Sequence, residues 1–92
     1  MMRKIVTSSI FRKDVERAKK RHLNIQLLEE VINKLANDEK LDPVYRDYAL
    51  KGKFKGMREC HIKPDWLLIY SIEGNELELF LFRTGTHSDF FI

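Results

Sequence analysis

Gly56-Met57-Arg58-Glu59-Cys60-His61-Ile62, Trp66-Leu67-Leu68-Ile69-Tyr70-Ser71-Ile72 and Glu76-Leu77-Glu78-Leu79-Phe80-Leu81-Phe82-Arg83 follow one another as three β-rich runs. The segments between them, Lys63-Pro64-Asp65 and Glu73-Gly74-Asn75, carry turn chemistry, so the runs predict an antiparallel meander. In the third run Leu77, Leu79 and Leu81 share one face, while Glu76, Glu78, Phe80 and Phe82 take the other. Helices can therefore cover the leucine face and leave a partly open groove opposite.

Those helices are expected upstream. Phe11, Val15, Ala18 and His22 recur at helical spacing behind Ser8 and Ser9, predicting a helix over 9–22. Asn24 can cap a second helix over 25–37, whose apolar face is Leu28, Val31, Ile32 and Leu35. A junction this short makes the pair an αα-hairpin, and Lys4-Ile5-Val6-Thr7 reads as a short strand ahead of it. The fold class is α+β: a two-helix hairpin packed on a small twisted, mainly antiparallel sheet. Asp38 to Lys53 shows no period, and a loop that long within a small domain more often marks function than neglect.

Ninety-two residues, 43% hydrophobic and 34% charged, are expected to form a single domain over 1–92. The lone Cys60 excludes an internal disulfide, and no Cys/His cluster has zinc spacing, so no metal or other cofactor is expected. No apolar h-region follows the basic N-terminus, and Trp66 to Tyr70 is far too short to span a bilayer, so the expected location is the cytoplasm, away from membranes. A net charge of +3 permits a polyanionic partner. The positive charge gathers in residues 1–23 and in 46–63, the latter with Arg46, Lys51, Lys53, Lys55, Arg58 and Lys63.

Groups able to do chemistry cluster late: Arg58, His61, Asp65 and Trp66 around the first turn, then Arg83 and His87 with Gly85, Thr86, Ser88 and Asp89 after the last strand. Histidine can give or take a proton near neutrality, arginine can hold a phosphate bidentately, and aspartate can orient an imidazole. Together they suit RNA cleavage without a metal, in which the ribose 2′-OH attacks the adjacent phosphorus, and DNA lacks that hydroxyl. Plainer readings stand beside these: Asp65 as a turn residue, Trp66 as core, Cys60 as a small core hydrophobe, His22 as a helix C-terminal cap. Lys51, Lys53, Lys55 and Arg58 are candidates for phosphate contact. Strict alternation places Arg58 and His61 on opposite faces and Arg83 in phase with the leucines unless a bulge intervenes.

The segments Asp47-Tyr48-Ala49-Leu50-Lys51-Gly52, Gly56 to Tyr70 with His61-Ile62-Lys63-Pro64-Asp65-Trp66, and Arg83-Thr84-Gly85-Thr86-His87-Ser88-Asp89-Phe90-Phe91 resemble the YafQ toxins, a branch of the RelE/ParE superfamily. The resemblance implies a RelE-like fold and the toxin of a type II toxin–antitoxin system, an endoribonuclease that cleaves mRNA in the A site of the 70S ribosome. It further implies a DinJ-like antitoxin as partner, with operator DNA bound only through the antitoxin complex. By matched position His61, Asp65, Arg83, His87 and Phe91 are the implied catalytic set, with Tyr48 and Trp66 lining the pocket. His87 would protonate the leaving oxygen, Arg83 stabilise the phosphate, His61 with Asp65 act on the other side, and Phe91 orient the base. Tyr48 departs from the family, which has a histidine there, and a phenol is a poor base at neutrality. Lys51 and Lys53 are candidates to substitute for that base or to stabilise charge. The alternatives are a catalytically silent nucleic-acid or antitoxin-binding module acting in operon control, and a ParE-like gyrase inhibitor, which does not need the His61/Asp65/His87 set.

Overall fold

The computed structural model describes residues 2–90. A five-stranded sheet is built from β1 (Lys4–Thr7), β2 (Tyr48–Ala49), β3 (Arg58–Lys63), β4 (Trp66–Glu73) and β5 (Glu78–Gly85), in the order β1-β5-β4-β3-β2. The meander β3-β4-β5 is antiparallel as expected, and β1 joins β5 in parallel. β4 is buried along Trp66 to Ser71, which is why its sequence is a continuous apolar run.

Two helices, α1 (Ser9–Lys20) and α2 (Ile25–Ala36), cover one face. Ser8 caps α1 by accepting from the Phe11 N–H, and its own hydroxyl donates to the Phe82 carbonyl, so the cap also fastens the helix to β5. Both helices stop short of the expected 22 and 37. His22 and Asp38 adopt left-handed backbone, and the N–H groups of Leu23 and Glu39 return to the Ala18 and Lys34 carbonyls. These are Schellman endings made without glycine, so the usual stop residue is missing from the sequence. Phe11, Leu28, Val31, Leu68, Tyr70, Leu79 and Leu81 fill the space between helices and sheet. No helix among the described residues is long and apolar enough to cross a membrane.

Three features depart from expectation. Gly74, Asn75 and Glu76 all turn through positive φ, so β5 starts at Glu78 and Leu77 is left half exposed instead of joining Leu79 and Leu81. The aperiodic stretch 38–53 contains two 3-10 turns, Pro43–Tyr45 and Gly52–Phe54, around the two-residue β2, which lengthens the sheet beside β3. A four-residue helix, α3 (His87–Phe90), packs Phe90 against Leu67 and Ile69 on the face away from α1 and α2.

Candidate active site

The face opposite the helix hairpin is organised by strand register. Tyr48 pairs with Glu59, Glu59 with Ile69 and Ile69 with Arg83, forming one row across β2, β3, β4 and β5, and the next row is His61, Leu67 and Gly85. Arg83 reaches this face because of a bulge in β5: Ile69 pairs with Arg83 and Tyr70 with Leu81, leaving Phe82 as the extra residue. The bulge breaks the phase that strict alternation gives Arg83 with the leucines. The irregularity in β3 falls after His61, so it does not turn Arg58 over. Arg58 lies opposite Tyr70 and bonds Asp47 at 2.9 Å, apart from the histidines.

Glu59 lies at the centre, and its carboxylate is fully buried. Oε2 accepts a short hydrogen bond from the Tyr48 hydroxyl, lies 3.2 Å from His61 Nε2 and 4.0 Å from His87 Nε2, whereas Oε1 is buried without a hydrogen-bond partner among the described residues. The bond to the carboxylate, with burial and the negative charge, pushes the Tyr48 phenol up to about 12. Tyr48 is thus a proton-holding donor. His61 Nδ1 faces the Pro64 carbonyl at 3.3 Å, so both ring nitrogens meet acceptors. The rings of His61 and His87 are 5.8 Å apart, with His87 half exposed.

On the far side, Arg83 Nε and Nη2 donate to the buried Asp14 of α1 at 2.8 and 3.1 Å, and its guanidinium lies 4.9 Å over the Phe90 ring. Asp14 raises the pKa of Arg83 still further, so the cation is permanent. Asp89 of α3 accepts from Arg21, the residue that caps the C-terminus of α1, and from the Thr86 N–H. Burial opposes the charge on Asp89, but Arg21 and Thr86 hold its carboxyl below the ordinary value. A Cβ at Gly85 would collide with that carboxylate and lie 3.2 Å from the Phe90 ring, which explains the glycine. Through these bonds α1 holds both Arg83 and the helix that begins with His87.

The sequence-predicted residues divide accordingly. His61, Arg83, His87 and Tyr48 share one face. Asp65 is exposed in the β3–β4 turn, with no hydrogen bond or ion pair among the described residues, and the carboxylate beside His61 is Glu59. Trp66 is buried on the helix side, where its indole N–H donates to Thr84 and steadies β4 against β5. Lys51, Lys53 and Lys55 are exposed around the 3-10 turn Gly52–Phe54, with Lys53 placed 5.3 Å over the Phe54 ring. Phe91 lies outside the described residues. Among those residues no group of three or more His, Cys, Asp and Glu is disposed to hold a metal ion.

Glu59 and Asp14 were missed from sequence, though each left a signal. Glu59 is two positions before His61 in a strand, hence on its face. Asp14 is three after Phe11 and four before Ala18, hence within the apolar stripe of α1, where a carboxylate needs a partner.

Chemically, the face offers a buried proton acceptor behind a phenol and an imidazole, a second imidazole in the open, and a fixed cation two strands away. Two strand spacings are about 10 Å of backbone, enough to seat a phosphodiester between Glu59 and Arg83.

Comparison with known proteins gives three findings. The family model described as "Bacterial toxin of type II toxin-antitoxin system, YafQ" matches residues 3–92. The mRNA interferase toxin YafQ of Escherichia coli K12 is 39% identical over 92 residues, 99% of this chain and 98% of that protein, and a putative toxin YafQ of Haemophilus influenzae is 36% identical over 90 residues, 92% and 88% of the two chains. The crystal structure of the E. coli DinJ-YafQ toxin-antitoxin complex contains a chain that superposes with a TM-score of 0.90 at 39% identity, covering 100% of both chains.

Proposed function

The chain belongs to the YafQ family of bacterial type II toxins, and we propose that it is an mRNA interferase that halts translation by cutting mRNA in the ribosomal A site. The observation that carries the chemistry is the buried Glu59 beneath Tyr48 and His61, facing Arg83 across Ile69.

In the proposed mechanism the 2′-OH sits against the Tyr48 hydroxyl. As O2′ bonds to phosphorus its proton passes to the Tyr48 oxygen, while the Tyr48 proton passes to Glu59 Oε2. A phenol that keeps its proton up to about 12 is a poor base, yet it relays well because no phenolate has to form. Arg83 donates to the non-bridging oxygens as negative charge grows there, while His61, set between Glu59 Oε2 and the Pro64 carbonyl, orients the carboxylate that takes the proton. His87, half exposed at the start of α3, protonates O5′ as the P–O5′ bond breaks. The products are a 2′,3′-cyclic phosphate and a 5′-OH. The exposed Lys51, Lys53 and Lys55 meet phosphates of the bound strand. Asp65 and Phe91 complete the set by family position, Asp65 as a contact to substrate at the rim and Phe91 as a stacking surface for the base.

A DinJ-like antitoxin is the proposed inhibitor, its acidic segment lying over the basic 46–63 region, and the complex, rather than the toxin alone, is the form proposed to bind operator DNA. The complex recorded for the E. coli relative supports this partner. The test is induced expression of the parent beside His87→Ala, with primer extension on a translated reporter. Codon-phased cuts that vanish in the variant are expected. Growth arrest without cuts points instead to a gyrase target.

A further inference from the structure

We infer that Asp14 is a positioning residue for catalysis: it fixes the guanidinium of Arg83 so that its remaining edge faces the scissile phosphate. The inference rests on the reading of Arg83 as the phosphate-binding group. Asp14 lies on α1, outside the site face, and is 2% exposed. Its Oδ2 accepts from Arg83 Nε at 2.8 Å and from the Thr84 N–H at 3.1 Å, and its Oδ1 accepts from Arg83 Nη2 at 3.1 Å. Arg17 Nη1 approaches Oδ1 at 3.6 Å.

A guanidinium is planar with five N–H donors. The pair on Nε and Nη2 is spent on Asp14, which leaves both protons of Nη1 and the outer proton of Nη2, all at the tip of the side chain. The Phe90 ring, 4.9 Å away, supports the guanidinium. Only end-on donation to a phosphate therefore remains. The side chain is locked before substrate arrives, so little rotamer entropy is lost when the phosphate docks. An arginine needed only for charge would not require a buried bidentate partner on another element.

The same carboxylate also ties α1 to β5 through the Thr84 N–H, so a purely structural role has to be separated from positioning. Asp14→Asn does so. The amide oxygen can take the place of Oδ2 and keep Thr84 and Arg83 Nε, while the amide NH2 then faces Arg83 Nη2, donor against donor. The link between helix and strand persists and the fork turns.

Parent, Asp14→Asn, Arg83→Ala and the double variant are compared in single-turnover cleavage of a reporter mRNA on programmed ribosomes, with thermal unfolding alongside. The expected result is a fall in the maximal rate of about 10²-fold for Asp14→Asn, an unchanged half-saturating concentration, and no further loss when the change is added to Arg83→Ala. A parental rate for Asp14→Asn, or a loss that adds to that of Arg83→Ala, overturns the inference while leaving Arg83 in its role. A parental rate for Arg83→Ala removes the reading of the site and the inference with it. If Asp14→Asn does not fold, NMR of the Arg83 guanidinium in the parent decides: slow rotation about Cζ–Nη2 supports the lock, and free rotation refutes it.

Discussion

Glu59→Gln separates stability from catalysis more cleanly than any other change at this site. The parent side chain accepts from Tyr48 and lies within hydrogen-bond reach of His61, while Oε1 is buried with no partner among the described residues. Hydrogen bonds to an ionised group contribute about 1.5–3 kcal/mol each and neutral ones about 0.5–1.5. Neutralising the acceptor of two bonds therefore costs about 2–3 kcal/mol. Against this, burying a carboxylate carries a desolvation penalty of several kcal/mol, which glutamine avoids. The two nearly cancel, so the variant should be at least as stable as the parent in urea or thermal unfolding. Cleavage should behave differently, because the amide cannot take the proton relayed by Tyr48. Loss of a general base lowers the rate about 10²–10⁴-fold, or about 3–5 kcal/mol of barrier. The assay is single-turnover cleavage on programmed ribosomes. A Gln variant that cleaves within about threefold of the parent would show that Glu59 is not the acceptor; one that loses stability and activity together would show that it is mainly a structural group.

Further outcomes follow from the same contacts. Tyr48→Phe, lacking the relay hydroxyl, should match Glu59→Gln in rate, whereas Tyr48→His, which can both give and take a proton, should stay within about tenfold of the parent; equal loss in both variants would contradict the relay. Gly85→Ala should displace α3, costing about 1–3 kcal/mol of stability through the Asp89 clash and lowering cleavage through His87; unfolding curves and rates that match the parent would refute it. Asp89 has its carboxyl lowered from the ordinary 3.8, so its contribution to stability is full above that pH and disappears as pH falls through the lower folded value. The stability difference between the parent and Asp89→Asn should therefore vanish in acid, and a difference that persists there would mean that ionisation is not its source.

How much the sequence disclosed depended on whether a local rule governed the residue. The meander, both helices and the α+β class were legible because apolar period and turn residues act locally. The end of each helix was misjudged by one or two residues because His22 and Asp38 supply a left-handed ending that glycine usually makes. Leu77 was misplaced because a turn with three positive-φ residues consumed Glu76. The candidate site was legible as residue types, with His61, Arg83 and His87 brought to one face. Its organisation was not, because the bulge that brings Arg83 round depends on the pairing of β4 with β5. Asp14 and Glu59 left only a positional signal, one in the apolar stripe of α1 and the other on the face of His61, and their roles depend on partners that tertiary packing brings.

The most direct test of the central claim, that the substrate's own 2′-OH is the nucleophile, is cleavage of an mRNA carrying a single 2′-deoxynucleotide on the 5′ side of the cut. The account predicts that this one bond resists cleavage, while the all-ribose message yields a 2′,3′-cyclic phosphate and a 5′-OH. Cleavage of the deoxy-substituted bond at the parental rate would mean that water attacks the phosphorus, and the assignment of Glu59, Tyr48 and Arg83 would fall.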